Sequence, residues 1–277
     1  KLRQSIEANA WDGAWYKRAT FDDGTWLGTA ASPACAIDSI VQSWSVLSGQ
    51  ADPARAKQAM EAFDQHLVRH NDGLSLLFDP AFGTGPVPEA HDPGYIAGYP
   101  PGLRENGGQY SHAAMWAILA WARLGDGDHA AELFALLNPI NHARTPKATQ
   151  RYKTEPYVVA ADVYSVAPHV GRGGWSWYTG SAAWMHRAAI EGILGITREG
   201  NRLRIAPNIP KDWPGFSARL KVADTVCNIH VEQTDIAITR LDGEVIAAAP
   251  RVYLPLDGVP HDLFLALNRD QAKTPAK

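Results

Sequence analysis

The 277-residue sequence contains only two cysteines, Cys35 and Cys227, far apart and outside any Cys/His ligand spacing. No disulfide framework and no zinc site follow from them, and no metal is expected. Asn-X-Ser/Thr acceptors are missing as well. Both absences fit a reducing compartment, so a cytoplasmic location is expected, with any attachment of a larger parent to the inner membrane left to segments outside this chain. Charge of one sign is also missing: 26 basic residues face 29 acidic ones, the net charge is −3, and no basic stripe runs through the chain. That argues against nucleic acid as a partner. No Gly-Lys-Ser/Thr follows any glycine-rich run, which excludes a P-loop. The longest apolar runs are too short to span a bilayer and are interrupted by His, Arg or Asp. The opening residues, Lys1 to Glu7, have no apolar signal core and read as the tail of a helix, so the chain is expected to start inside a domain. Internal repeats and low-complexity segments do not stand out.

What is present is tryptophan: ten residues, with clusters at Trp11 and Trp15, Trp116 and Trp121, and Trp175, Trp177 and Trp184. Aromatic rings fill cores between helices and also stack on sugars, so the enrichment favours carbohydrate without deciding it. The length allows one large core or two modest ones. The first two-thirds reads as mainly α: helices over 35–48, from Asp52-Pro53 to Leu67, Ser111–Leu124, Asp128–Leu137, Pro156–Tyr164 and Ser181–Leu194. The connections are long, and 79–108 holds six prolines among many glycines; loops of that size in a compact protein usually carry function. Beyond about residue 200 the pattern alternates, at 202–207, 216–222, 226–231 and 235–239, with a hairpin signal at Asp242-Gly243. The division is therefore a helical domain over 1–200 and a small antiparallel β unit with its tail over 201–277, residues 271–277 reading as frayed.

Four segments concentrate chemistry. Arg104-Glu105-Asn106-Gly107-Gly108-Gln109-Tyr110-Ser111-His112 feeds the apolar helix that begins at Ser111. A helix start favours anions, so His112 is a candidate anion ligand and Glu105 a candidate sugar ligand. The plain alternative is an Arg104–Glu105 ion pair beside a capping histidine. Thr179-Gly180-Ser181 opens the last helix with a hydroxyl and free N–H groups, which suits an oxyanion, although Ser and Thr cap helices routinely. Glu155 and Asp162 are further carboxylates, suited to a base or a sugar contact, or to stabilising a helix dipole. Asn9 to Tyr16, followed by the tight turn Phe21-Asp22-Asp23-Gly24, reads as aromatic packing without chemistry.

Taken in order, these runs resemble one family. Asn-Ala-Trp-Asp-Gly-Ala-Trp-Tyr (9–16), Phe-Asp-Asp-Gly (21–24), Gln42-Ser43-Trp44, Tyr-Pro-Pro-Gly-Leu-Arg-Glu-Asn-Gly-Gly-Gln-Tyr-Ser-His (99–112), Glu155-Pro156-Tyr157, Trp177 to Trp184 and Ile205-Ala206-Pro207-Asn208 are similar to the C-terminal part of glycoside hydrolase family 94 phosphorylases, such as cellobiose and chitobiose phosphorylases. Tyr-Pro-Pro-Gly-Leu-Arg-Glu-Asn-Gly-Gly-Gln-Tyr and Glu-Pro-Tyr-Val-Val-Ala-Ala-Asp-Val-Tyr point to the phosphorylase-like region of cyclic β-1,2-glucan synthases. The resemblance reaches about residue 235. It implies the C-terminal part of an (α/α)6 barrel followed by a β-rich tail. It implies inverting phosphorolysis, in which inorganic phosphate is the co-substrate and no cofactor is used. His112, Thr179 and Gly180 match the family's phosphate ligands, and Glu105 matches its sugar-binding carboxylate. Arg104, Gln109, Tyr157, Asp162 and Trp177 lie in the same matching runs and complete the expected substrate-binding set. The family's general acid sits in a Gly-Asp-Trp-Asn-Asp motif that precedes the Asn-Ala-Trp-Asp run, and an arginine that binds phosphate lies upstream too, so no catalytic acid is expected within residues 1–277. The glutamine that cellobiose-type enzymes carry after the Pro-Tyr pair is replaced by Val158 to Asp162, which favours a β-1,2-glucan over cellobiose.

The expected partners are a β-glucan or β-glucoside, phosphate and the rest of a parent polypeptide. Two other readings stand beside this one. An inverting hydrolase on the same barrel would need a base, with Glu105 or Asp162 nominated. A non-catalytic saccharide-binding module is the third. Part of a barrel also leaves apolar helix faces bare, so the chain alone is expected to be poorly soluble or oligomeric, a homodimer being one way to cover them.

Overall fold

The computed structural model describes residues 1–85, 91–249 and 251–268, so Pro86 and Pro88 of the long loop and the tail 271–277 lie outside the described residues. Two compact units emerge. One comprises Lys1–Ala120 and Glu132–His186; the other comprises Trp121–Ala131 and the chain from Arg187 onward. The second unit thus begins before residue 201 and also takes in 121–131. About 33% of the chain is helical and 25% is strand, a balance that makes it α+β rather than mainly α.

The first unit opens with α1 (Leu2–Asn9) and the hairpin β1 (Ala19–Thr20) and β2 (Trp26–Leu27). The tight turn expected at 21–24 closes this hairpin: Gly24 has φ 85° and its N–H donates to Phe21 O. Then follow β3 (Ile37–Asp38), α2 (Ser39–Leu47) and α3 (Pro53–Leu67). Residues 35–38 are not helical, because Asp38 takes the extended backbone of an N-cap and its Oδ1 accepts from Ile40 N and Val41 N at 2.8 and 3.2 Å. Asp52 caps α3 in the same way, with Pro53 in the first turn. The short ladders β4 (Val68–Arg69) with β5 (Leu74–Ser75), and β6 (Phe78–Asp79) with β3, lead through a 3-10 turn at Gly94–Gly98 to β7 (Gln109–Tyr110) and α4 (Ser111–Arg123). Met60, Phe63, Leu67, Leu74, Leu76, Met115 and Ile118 are among its fully buried side chains.

Next come α5 (Gly127–Leu137), α6 (Pro139–His142), α7 (Pro146–Tyr152), β8 (Asp162–Val163) and α8 (Gly180–Arg187). The helix expected at Pro156–Tyr164 is a correction. The helix lies instead at α7, capped by Thr145 Oγ1 on Ala148 N and ended by Lys153 at φ 57°. Residues 160–163 are buried and extended, with β8 paired to β7. A short apolar run buried on both sides has no period that separates strand from helix, and Val158-Val159 belongs to the β-branched type that prefers extension.

In the second unit a π-helical turn, Ala188–Ile193, continues from α8. Strands β9 (Ile196–Glu199), β10 (Arg202–Ile205) and β15 (Val252–Pro255) form one sheet. Strands β11 (Gly215–Val222), β12 (Thr225–Thr234), β13 (Ile238–Leu241), β14 (Glu244–Ile246) and β16 (His261–Asn268) form the other, in the order β11-β12-β16-β13-β14. The Asp242-Gly243 signal makes the expected tight hairpin, with both residues at positive φ (52° and 85°) and Leu241 opposite Glu244. The expectation of a purely antiparallel unit is corrected by β16, which runs parallel to β12 over eight residue pairs. A strand returning from a long excursion enters between β12 and β13, and no local pattern encodes that.

Candidate active site

The site assembles on two loops and two helix starts of the first unit. Asn106 braces the first loop: its Nδ2 donates to Phe82 O and Tyr99 O at 3.0 and 2.8 Å, and its Oδ1 accepts from Phe82 N at 2.8 Å. The double glycine is needed for close approach. A Cβ on Gly107, which has φ 76°, would lie 2.8 Å from Ala81 Cβ; one on Gly108 would lie 3.0 Å from Arg104 N. Within this brace Arg104 takes a left-handed φ of 48°, a position where a branched or long side chain is strained. Its guanidinium lies over the Trp175 ring at 4.7 Å and the Tyr99 ring at 5.5 Å, and its Nε is 3.6 Å from Glu105 Oε2.

Arg104 and Glu105 are each only partly buried. Burial alone would lower the Arg104 pKa, but the nearby Asp162 and Glu105 carboxylates raise it above its ordinary value. Asp162 is buried on β8. Its Oδ1 accepts from Trp175 N at 3.1 Å, and its Oδ2 is buried with no hydrogen-bond partner of full geometry among the described residues. Burial pushes its carboxyl above the usual range, against the Trp175 N–H and the charge and backbone N–H of Arg104.

His112 stands in the first turn of α4, its ring stacked on Tyr110 with centroids 5.3 Å apart. Burial lowers its pKa, so the free site holds a neutral imidazole at pH 7. Its Nδ1 is buried without a partner among the described residues, while a Cβ placed on Gly180 would lie 2.7 Å from its Nε2. The start of α8 therefore lies directly against the histidine, with Thr179 beside it, exposed. Ser181, the third member of that motif, is structural: its buried hydroxyl donates to Val159 O and Tyr178 O. His112 Nε2 and the first residue of α8 are thus neighbours, and Thr179 is exposed at that helix start.

The remaining expected residues divide. Gln109 is 2% exposed and lines no surface: its Oε1 accepts from Ser75 N and its Nε2 approaches Ser111 Oγ. Tyr157 and Trp177 are 75% and 88% exposed. Glu155 is likewise exposed. Tyr99, Tyr110 and Trp175 pack against Arg104 or His112 and were not among the candidate site residues; the aromatic run Trp175-Ser176-Trp177-Tyr178 was visible, but nothing in it tells Trp175, over the arginine, from Trp177, in solvent. Among the described residues no group of His, Cys, Asp or Glu is arranged to hold a metal ion, and no helix is long and apolar enough to cross a membrane.

The chain is 47% identical over 232 residues to the cyclic beta-(1,2)-glucan synthase NdvB of Rhizobium meliloti, covering 84% of this chain and 8% of that protein. It is 32% identical to the N,N'-diacetylchitobiose phosphorylase of Vibrio proteolyticus (84% of this chain, 28% of the relative) and 28% identical to the 1,2-beta-oligoglucan phosphorylase of Listeria innocua (72% and 19%). The chain therefore spans less than a third of the length of each of these relatives. Residues 197–249 match the C-terminal domain of glycosyl hydrolase family 65. Residues 1–195 match the catalytic domain of the glycosyl hydrolase 94 superfamily, and the chain belongs to that family.

Proposed function

We propose that residues 1–195 are the C-terminal part of an (α/α)6-barrel phosphorylase domain that cleaves β-1,2-glucan with inorganic phosphate and releases α-glucose 1-phosphate. In this reading the domain is one part of a larger, cytoplasmic glucan synthase polypeptide and adjusts glucan chain length. The observation that carries the proposal is the approach of His112 Nε2 to the backbone of Gly180, which brings together two motifs 68 residues apart. The Arg104–Glu105 pair stands on the segment that leads into His112.

The chemistry follows from the ligands. Phosphate arrives as an anion and needs no base to activate it, whereas an inverting hydrolase must deprotonate water. Thr179 Oγ1, the Gly180 N–H and His112 Nε2 hold and orient its oxygens, and a bound anion shifts the His112 equilibrium toward the charged donor. Glu105, held by Arg104, accepts from a sugar hydroxyl beside the cleaved bond. The phosphate oxygen then attacks the anomeric carbon from the face opposite the leaving oxygen, which inverts the β bond to an α-phosphate. Proton delivery to the leaving oxygen comes from the Gly-Asp-Trp-Asn-Asp segment of the family, which residues 1–277 do not contain. The same residues without phosphate could serve only to bind saccharide.

The test is phosphate-dependent release of α-glucose 1-phosphate from β-1,2-glucan, by residues 1–277 alone and by a longer polypeptide that includes the acid segment. Product from the longer polypeptide only is the expected result. Free glucose formed without phosphate would replace the proposal with a hydrolase, and no product from either would leave a saccharide-binding module.

A further inference from the structure

The two halves of the anion site hang on one strand. On one side β8 pairs with β7, with Tyr110 opposite Asp162. The pairing continues through Ser111 N to Ala161 O at 2.9 Å and Ser111 Oγ to Ala160 O at 2.6 Å. That side leads directly into His112. On the other side Gly174 N donates to Asp162 O at 2.8 Å, Ala161 N donates to Trp175 O at 2.7 Å, and Val163 bridges Gly173. That side leads through Trp175 to Thr179 and Gly180. The segment 160–163 is therefore the common brace between the histidine and the helix start that meets it.

Asp162 is the one residue of this brace whose side chain reaches both neighbours. Its Oδ1 holds the Trp175 N–H, and its charge acts on Arg104. The Trp175 ring in turn carries the Arg104 guanidinium at 4.7 Å. The fit is close: a Cβ on Gly174 would lie 2.3 Å from Asp162 Oδ1, so Gly174 leaves room for the carboxylate. The cost of burying this carboxylate is offset by the Trp175 N–H and by the charge and backbone N–H of Arg104.

We infer that Asp162 is a positioning residue, not a sugar ligand or a base: it clamps the Trp175 loop, and with it the Thr179–Gly180 anion ligands, to the Arg104–Glu105 sugar side. The inference rests on the phosphorylase reading for its consequence, while the clamp itself has a readout independent of turnover. Its bond and its charge do separate tasks: Oδ1 fixes the phosphate side by accepting from the Trp175 N–H, and the carboxylate's charge and the Arg104 backbone N–H fix the sugar side. Asp162→Asn keeps an Oδ1 acceptor and removes the charge; Asp162→Ala removes both.

The experiment compares these variants in the full-length protein by hydrogen exchange at the Trp175 amide and by separate KM values for phosphate and β-1,2-glucan. In Asp162→Ala, Trp175 is expected to exchange about tenfold faster or more, with both KM values raised by about tenfold. In Asp162→Asn, Trp175 exchange and the phosphate KM stay within about twofold of wild type while the glucan KM rises. Unchanged Trp175 exchange in Asp162→Ala overturns the inference, and so does a proportionate rise of both KM values in Asp162→Asn. Should Asp162→Ala fail to fold, the Asp162→Asn pattern decides alone. A wild type without phosphorolysis, alongside faster Trp175 exchange in Asp162→Ala, removes the phosphorylase reading and leaves the clamp standing.

Discussion

At the scale of single residues the proposed anion site is a matter of approach distances. Gly180 sits where any side chain would meet the His112 ring, at 2.7 Å from Nε2. Gly180→Ala and His112→Ala should therefore both weaken phosphate binding, by about tenfold or more, since one blocks and the other removes a donor. Glucan affinity should fall less, because Glu105 and Arg104 are untouched; calorimetric titration of each ligand checks this. Equal losses for phosphate and glucan in His112→Ala would remove the phosphate assignment. Of the other residues in the matching runs, Gln109 is tied into the core, while Tyr157 and Trp177 stand in solvent.

At the scale of elements, termination signals were more reliable than periodicity. Asp52-Pro53 and Asp242-Gly243 produce the cap and the hairpin they suggest, because each acts through bonds and dihedrals within a few residues. Thr145-Pro146 carried an equally plain start signal for α7, and the apolar run after Pro156 drew the helix to the wrong place. In the sheet of the second unit, β16 begins with a buried histidine between two exposed carboxylates: His261 Nδ1 meets Asp242 Oδ2 at 2.8 Å and its Nε2 meets Asp257 Oδ1 at 3.1 Å. The Asp242 bond, against burial and with help from Asp257, raises the His261 pKa. The His261 bond and the Asp262 N–H lower that of Asp242, and the Val259 N–H and His261 lower that of Asp257.

The raised histidine contributes stability that is complete below the ordinary imidazole value and is lost as pH rises through the raised one. The depressed carboxyls contribute above the ordinary carboxylate range and lose that contribution as pH falls through their lowered values. The relay is thus strongest between the ordinary carboxylate range and the ordinary imidazole value, and fades as pH rises through the raised histidine value. His261→Gln should lower Tm more at about pH 6 than at about pH 9. An equal loss of Tm at both pH values would show that the relay's charge is not what stabilises β16.

At the scale of the whole molecule, exposed apolar surface is the notable quantity. Tyr95, Ile140, Tyr157 and Trp177 are each 60% exposed or more. Isolated apolar residues at a surface are ordinary, but aromatic side chains this bare favour contact with another surface. Residues 1–277 alone are expected to self-associate, with a sedimentation coefficient that rises with concentration; a monodisperse monomer at every concentration and a single cooperative melt would refute this.

The sequence by itself determined the local devices and the membership of the family: the caps at Asp52 and Thr145, the Asp242-Gly243 turn, and the ordered motifs from Asn9 to Asn208. Each is decided by bonds, dihedrals or residue identities that neighbours along the chain supply. Only the tertiary structure decided which of those motifs meet. The contact of His112 with Gly180, the parallel insertion of β16 beside β12, and the burial of Asp162 between Arg104 and Trp175 all join segments distant in sequence. Such contacts are selected by what the rest of the core leaves room for, and no window along the chain contains that information.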